Sequence, residues 1–194
     1  MTLMHILVFK TETREDDGPD QVIQPMADAS GAELQFISVP SVLHPCTGCG
    51  KCSRTHACTF DDGLGNIVNA VNVCDGVLFL TSLLYGCPDN TFINLIKRLC
   101  TSRPDVLRQK PVSVIGLSRS QGSSMDLSEV DNLLNSASMI RVYGPYGMVI
   151  TSSMSEEDAI RLCSCFANLL WASRALKNEH PELETMPRAP YRIR

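Results

Sequence analysis

Residues 76–100 read GVLFLTSLLYGCPDNTFINLIKRLC, and residues 111–117 read PVSVIGL. The opening run, 76–80, is short, continuous and apolar, the pattern of a strand buried on both faces. Residues 89–100 are helix-like, and the second apolar run follows them. A strand, a crossover helix and a second strand of this size belong to a parallel sheet, in which such crossovers are right-handed.

The same alternation extends outward in both directions. Residues 3–9 and 33–39 read as two further buried strands, and 20–30, 63–74, 126–137 and 155–178 as further helices. A fifth strand is expected within 141–150; Gly144-Pro145 interrupts it, so the strand is either the part after that turn or one with a bend. The last helix is the clearest. Ser155 with Asp158 makes an N-terminal capping pattern, and Ala159, Leu162, Cys163, Phe166, Leu169, Leu170 and Ser173 trace the face that should meet the sheet. Strand and helix pairs in this number predict a doubly wound α/β domain over residues 1–179, with ligands in the loops beyond the carboxyl ends of the strands. Residues 180–194, Pro-containing and basic with Arg188, Arg192 and Arg194, read as a solvated tail.

The charge balance, 17 basic against 21 acidic residues and a net −4, supplies no footprint for nucleic acid or an anionic membrane. No apolar run approaches the roughly 20 residues of a membrane span, and Met1 leads directly into a strand-like segment, so a cytoplasmic protein is expected. Nine cysteines are many for a reducing compartment, and their odd number and clustering point to metal or redox chemistry.

That chemistry concentrates in a loop at 44–62, where Cys46, Cys49 and Cys52 stand at two-residue gaps and Cys58 follows. Thiolates so spaced can converge, and Gly48 and Gly50 free the backbone to turn amides toward sulfur. Structural zinc sites usually join two such pairs through a longer spacer, whereas an iron–sulfur cluster is served by a close run. A cluster, a metal-free redox or structural loop, and zinc are the three readings of this block. Cys74, Cys100 and Cys163 read as small buried hydrophobes, and Cys87 also as packing. His44 and His56 flank the block as solvent or supporting residues.

With His44-Pro45 before the cysteines, Asp61-Asp62 after them, Leu80-Thr81-Ser82-Leu83-Leu84-Tyr85-Gly86 and Leu95-Ile96-Lys97-Arg98, the chain resembles the iron–sulfur flavoprotein branch of the NAD(P)H-dependent FMN reductase family over most of its length. The resemblance implies a three-layer flavodoxin-like fold with a five-stranded parallel sheet in the order 2-1-3-4-5 and an inserted cysteine loop. It implies FMN at the carboxyl edge and a 4Fe-4S cluster on Cys46, Cys49, Cys52 and Cys58. Homo-oligomers, dimers or tetramers, would bring cluster and flavin together.

In that family the loop after the third strand follows the isoalloxazine ring, which maps onto Thr81, Ser82, Leu83, Leu84, Tyr85 and Gly86, with Tyr85 able to stack. The loop after the fourth strand, from Ser118, borders the flavin, and Thr11, Thr13 and Arg14 fall where phosphate is held. The first loop departs from the family's Gly, Ser, Asn and Thr composition: residues 10–17 carry two basic and four acidic side chains. No general acid or base stands out. The expected function is electron transfer between FMN, a cluster and NAD(P)H or a redox partner protein. The alternatives are a cluster-free flavin or quinone reductase, and a binding or regulatory module without FMN.

Overall fold

The computed structural model describes residues 3–11, 18–39, 43–119, 127–144, 149–151 and 153–178. In chain order the elements are β1 (Met4–Thr11), α1 (Gly18–Ser30), β2 (Ala32–Val39), α2 (Cys52–Thr55), α3 (Leu64–Val73), β3 (Gly76–Leu84), β4 (Cys87–Pro88), α4 (Asn90–Ser102), α5 (Pro104–Leu107), β5 (Pro111–Ser118), α6 (Ser128–Ser136), β6 (Ile140–Arg141), β7 (Val149–Thr151) and α7 (Glu156–Asn178). The long strands lie in the order β2-β1-β3-β5, all parallel. Beyond β5 the edge is made of two pieces, β6 along its start and β7 along its end. Taken as one interrupted strand, they complete the expected 2-1-3-4-5 order. The interruption contains Gly144-Pro145, a pair that removes a ladder donor.

The strands are apolar throughout because both faces are covered. Along β1, Leu7 and Phe9 join Phe79, Val112 and Val114 in a core shared with α3, α4 and α6. The alternate residues Met4, Ile6 and Val8 join Leu78, Leu80 and Ile115 in a second core with α1 and α7. Side chains two apart share a face, so one strand serves both layers. Phe79 stacks on Phe9 at 5.0 Å and meets Phe92 of α4 edge-on at 5.1 Å, which centres the first core. The second is closest where α7 crosses β3: a Cβ on Gly76 would fall 2.2 Å from Ser173 Oγ.

Several boundaries differ from the sequence reading. Strand β3 runs on to Leu84 and pairs antiparallel with β4, so Thr81 to Leu84 extend the sheet instead of forming a loop. Helix α1 starts at Gly18, with Pro19 in the first turn, where a missing N–H breaks no helical bond. The inward thiol of α7 is the fully buried Cys165, whereas Cys163 is half-buried. Cys87 is exposed instead of packed. The tail 180–194 lies outside the described residues, among which no helix is long and apolar enough to cross a membrane.

The cap of α7 forms as the sequence predicts. Ser155 Oγ donates to Asp158 Oδ2 at 2.8 Å and accepts from the Asp158 N–H at 3.1 Å, while Thr151 Oγ1 also donates to the carboxylate. Burial pushes the Asp158 carboxyl up, but the hydrogen bonds from Thr151 and Ser155 outweigh it and hold the group below its ordinary 3.8. With the native pKa below the unfolded one, the unfolded chain takes up the proton first on acidification. The carboxylate's contribution is therefore complete above about pH 4 and is lost as the pH falls through the native value. Ser155→Ala should cost about 1 kcal/mol, lowering Tm by about 2–4 °C. Asp158→Asn should lose less of its urea midpoint between pH 6 and pH 3 than the parent does; equal losses would remove Asp158 from the acid response.

Candidate functional site

Two places concentrate chemistry, and α4 joins them. The first lies at the carboxyl ends of β1 and β3, where the strand order reverses from 2-1 to 3 and a doubly wound sheet opens a crevice. Thr11 ends β1 and Ser82 stands beside it on β3. The Ser82 N–H donates to Thr11 Oγ1 at 3.0 Å, and the two hydroxyls are 3.4 Å apart. Thr81 is fully buried, and its hydroxyl accepts from the Asp89 N–H at 3.3 Å, so it holds the start of α4 and offers no surface. Asp89 in turn caps α4 through the Thr91 N–H. Lys10, next to Thr11, pairs with Asp20 of α1 at 2.6 Å.

Past Ser82, β3 and β4 make a two-residue hairpin. Leu84 pairs with Cys87, and the turn residues Tyr85 and Gly86 have φ of 52° and 79°. Positive φ at both positions is the conformation of the type I′ turn, which suits right-twisted strands but favours Asn or Gly at its first position. Tyr85 is a bulky residue in the left-handed region, and its side chain is completely exposed. Leu83 is buried and Leu84 exposed. Ser118 is buried at the end of β5. Thr13 and Arg14 lie outside the described residues, as does the loop segment 120–126.

The second place is the cysteine loop. Cys46, Cys49, Cys52 and Cys58 all line one cavity of about 110 Å³, together with Phe60 and Arg98. They share it without converging on a point: among the described residues no group of three or more His, Cys, Asp or Glu is placed to hold a metal ion. The arrangement therefore supports neither the expected 4Fe-4S cluster on Cys46, Cys49, Cys52 and Cys58 nor a tetrahedral zinc ion, both of which need their ligands gathered around one centre. The anticipated turn chemistry is present. Gly48 and Gly50 take φ of 67° and 66°. The Lys51 N–H points at the Cys49 sulfur and, with Thr47 and Thr59, draws that thiol below its ordinary 9.0 against slight desolvation. Cys52 reaches the Thr101 carbonyl of α4 at 3.6 Å. Burial pushes Cys74 and Cys100 up to about 11, so these thiols are inert.

The loop is closed at its base by a pair that the sequence reading quoted without assigning it a role. Arg98 Nη1 donates to Asp62 Oδ2 at 2.5 Å and to the His44 carbonyl at 3.2 Å, and the His44 N–H donates to the same carboxylate at 3.0 Å. His44 also stacks on Phe60 at 4.8 Å, and the Arg98 guanidinium lies 5.5 Å from that ring. His56 is exposed; its backbone closes α2. The phase of Arg98 was the available signal, because Leu95, Leu99 and Ser102 around it are all buried.

The profile of the NADPH-dependent FMN reductase family matches residues 4–152. Among solved structures the chain is similar to a flavodoxin, WrbA-like protein from Agrobacterium tumefaciens, at 16% identity and a TM-score of 0.59, covering 89% of this chain and 98% of that one. It is similar also to the flavoenzyme NAD(P)H:(acceptor) oxidoreductase FerB from Paracoccus denitrificans, at 14% identity and a TM-score of 0.68, with coverage of 89% and 98%. A third is an NADH:FMN oxidoreductase in its apo form, at 12% identity and a TM-score of 0.64, with coverage of 87% and 89%. At these identities they establish the flavodoxin-like fold. No curated protein sequence matches the chain.

The hairpin yields a prediction separate from any ligand. Tyr85 buries nothing, and a side chain in the left-handed region costs about 1–2 kcal/mol. Tyr85→Asn should therefore leave stability unchanged or raise it by up to about 1 kcal/mol, or roughly 2–4 °C in Tm. A drop of several degrees would mean that the ring is packed against something in solution.

Proposed function

The chain belongs to the NADPH-dependent FMN reductase family, and from that premise we propose that it is an FMN-dependent oxidoreductase taking a hydride from NAD(P)H and passing the electrons to a flavin or quinone acceptor. The observation that carries this reading is the pairing of Thr11 with Ser82 across the β1/β3 switch point, on the strand that leads into the exposed Tyr85–Gly86 turn. FMN, when bound, accepts two electrons at once and releases them together or singly. The protein's part is to hold and orient it. Thr11 and Ser82 supply hydroxyl groups at the floor, the hairpin supplies a wall at the height of the ring, and Thr81 with Asp89 fixes that wall to α4. Thr13, Arg14 and Ser118 belong to the same reading as the phosphate side and the far border.

Titration of flavin-free protein with FMN, followed by quenching of flavin fluorescence, tests it. Binding should be micromolar or tighter, about −8 kcal/mol. Tyr85→Ala should weaken it roughly threefold to tenfold, in keeping with about 0.5–1.5 kcal/mol for aromatic stacking. Bound flavin should bleach when NADH or NADPH is added without oxygen. Failure of the parent to bind FMN would sink the reading in favour of a binding module.

The family and the similar structures favour a reductase without a cluster. One observation favours adding a 4Fe-4S centre even though the sulfurs are not gathered around one point: the four cysteines surround a shared space several times the roughly 30 Å³ of a water molecule, with a backbone amide directed at one sulfur. A polynuclear centre suits such a space better than one ion does. On protein purified without oxygen, iron and sulfide should fall when Cys46, Cys49, Cys52 or Cys58 is changed to Ala but not when Cys74 is. Iron-free parent protein leaves the reductase cluster-free.

A further inference from the structure

Helix α7 is apolar on two sides. Leu162, Cys165, Phe166, Leu169 and Leu170 face the second core, whereas Ile160 and Trp171 lie on the opposite side of the helix, 53% and 73% exposed. Trp171 is the only tryptophan of the chain, and large apolar groups gathered on one exposed face mark an interaction surface. Ser164 and Ala167 stand between them. With Glu157 before and Arg174 after, residues 157, 160, 164, 167, 171 and 174 follow the alternating three- and four-residue spacing of a helix that pairs with another helix. The flanks of this face are closed by the protein itself. Asn168 donates to the Tyr143 carbonyl at 2.8 Å on the side of the sheet edge, and Arg174 donates to the Ser30 carbonyl of α1 at 3.1 Å on the other.

We propose that this outer face of α7 docks a second copy of the chain, α7 against α7, antiparallel about a two-fold axis. The occupant follows from the order of residues along the repeat. Reversing the helix about the point between Cys165 and Phe166 sets Ile160 against Trp171, Ser164 against Ala167 and Glu157 against Arg174, each pair occurring twice. A parallel pair would instead set each residue against itself, with acid on acid and base on base, so charge selects the antiparallel arrangement. Size agrees with charge. The small central residues let the two helix axes close to about 8 Å, while the bulky side chains fill both ends. The Ser164 hydroxyl already donates to the Ile160 carbonyl at 2.8 Å, so its burial leaves no donor unpaired. Two tryptophans bring about 300–500 Å² to such a contact, against the roughly 1,000 Å² of a specific interface. The dimer is therefore weak and concentration-dependent. The cysteine loop packs through Cys58 on the other layer of the sheet, so this contact is separate from one that joins loop and flavin, and it does not rest on the reductase reading.

Sedimentation equilibrium of the full chain over a wide concentration range provides the test, with tryptophan emission read on the same samples. Because Trp171 is the sole tryptophan, that emission reports this face alone. The parent should pass from monomer to dimer with a Kd in the micromolar range, and its emission should move to the blue in step. Trp171→Ser should raise the Kd at least tenfold, the loss typical of a central aromatic anchor, with Tm unchanged. Glu157→Arg and Arg174→Glu should each weaken the dimer roughly threefold or more, and the double exchange should restore it. A merely structural role of either residue gives no such restoration. A parent that stays monomeric throughout overturns the proposal, as does a dimer whose Kd is unmoved by Trp171→Ser. Blue emission that does not depend on concentration also overturns it, because the chain's own residues then cover Trp171. If Arg174→Glu fails to fold through loss of its bond to Ser30, the Trp171→Ser comparison decides alone. FMN affinity should be the same in every variant, so a failure of FMN binding bears on the reductase reading only.

Discussion

Burial of the Arg98 guanidinium against Asp62 is the constraint around which the inserted loop is arranged. The two side chains are 1% and 6% exposed, and removal of one partner from such a pair typically costs about 3–5 kcal/mol. The pair also grips the main chain of His44 on both its N–H and its carbonyl, so residues 44 and 62, the two ends of the cysteine segment, are tied to one point on α4. A loop between fixed ends has less chain entropy to lose when its sulfurs are ordered. The exposed Cys46 and Cys49 are thus held near the half-buried Cys52 and Cys58, of which Cys58 packs against the first core.

Helix α4 connects this anchor to the β1/β3 switch point. Asp89 at its N-terminus takes up the Thr81 hydroxyl and the hairpin, and Arg98 lies about 14 Å further along at 1.5 Å per residue. Phe92, Leu95, Ile96 and Leu99 bury the intervening turns against the sheet. The two places therefore sit on a single rigid body. The strained turn at Tyr85 fits that arrangement, because an unfavourable backbone conformation persists only where its surroundings over-determine it. Here the β3–β4 ladder and the Ser82 carbonyl bonded to the Asp89 N–H, at 3.0 Å, do so.

The sequence made the layers legible because each strand is a continuous apolar run and the α7 cap carries its own chemistry in Ser155 and Asp158. It concealed the hairpin, since Tyr at the first turn position and Cys87-Pro88 afterwards violate the usual turn preferences. Cys163 and Cys165 were exchanged because a 23-residue helix drifts in phase against any short pattern of apolar residues. The cysteine block announced a sulfur-rich site through spacing alone. The buried Arg98 at its base was hidden, because a single Arg in a helix reads as a solvated side chain unless its phase among Leu95, Leu99 and Ser102 is followed.

The anchoring of the loop by Arg98 also bears on its composition. Exposed glycines such as Gly48 and Gly50, at positive φ with no atom within 4 Å of a Cβ, are retained for backbone direction and not for space. The Lys51 amide at Cys49 and the buried guanidinium near Cys58 are both sources of positive potential beside the same cavity. The turned backbone at Gly48 and Gly50, the buried Arg98–Asp62 pair and the four thiols thus form one locally consistent frame around a shared cavity, in which the cysteines do not close on a single ion.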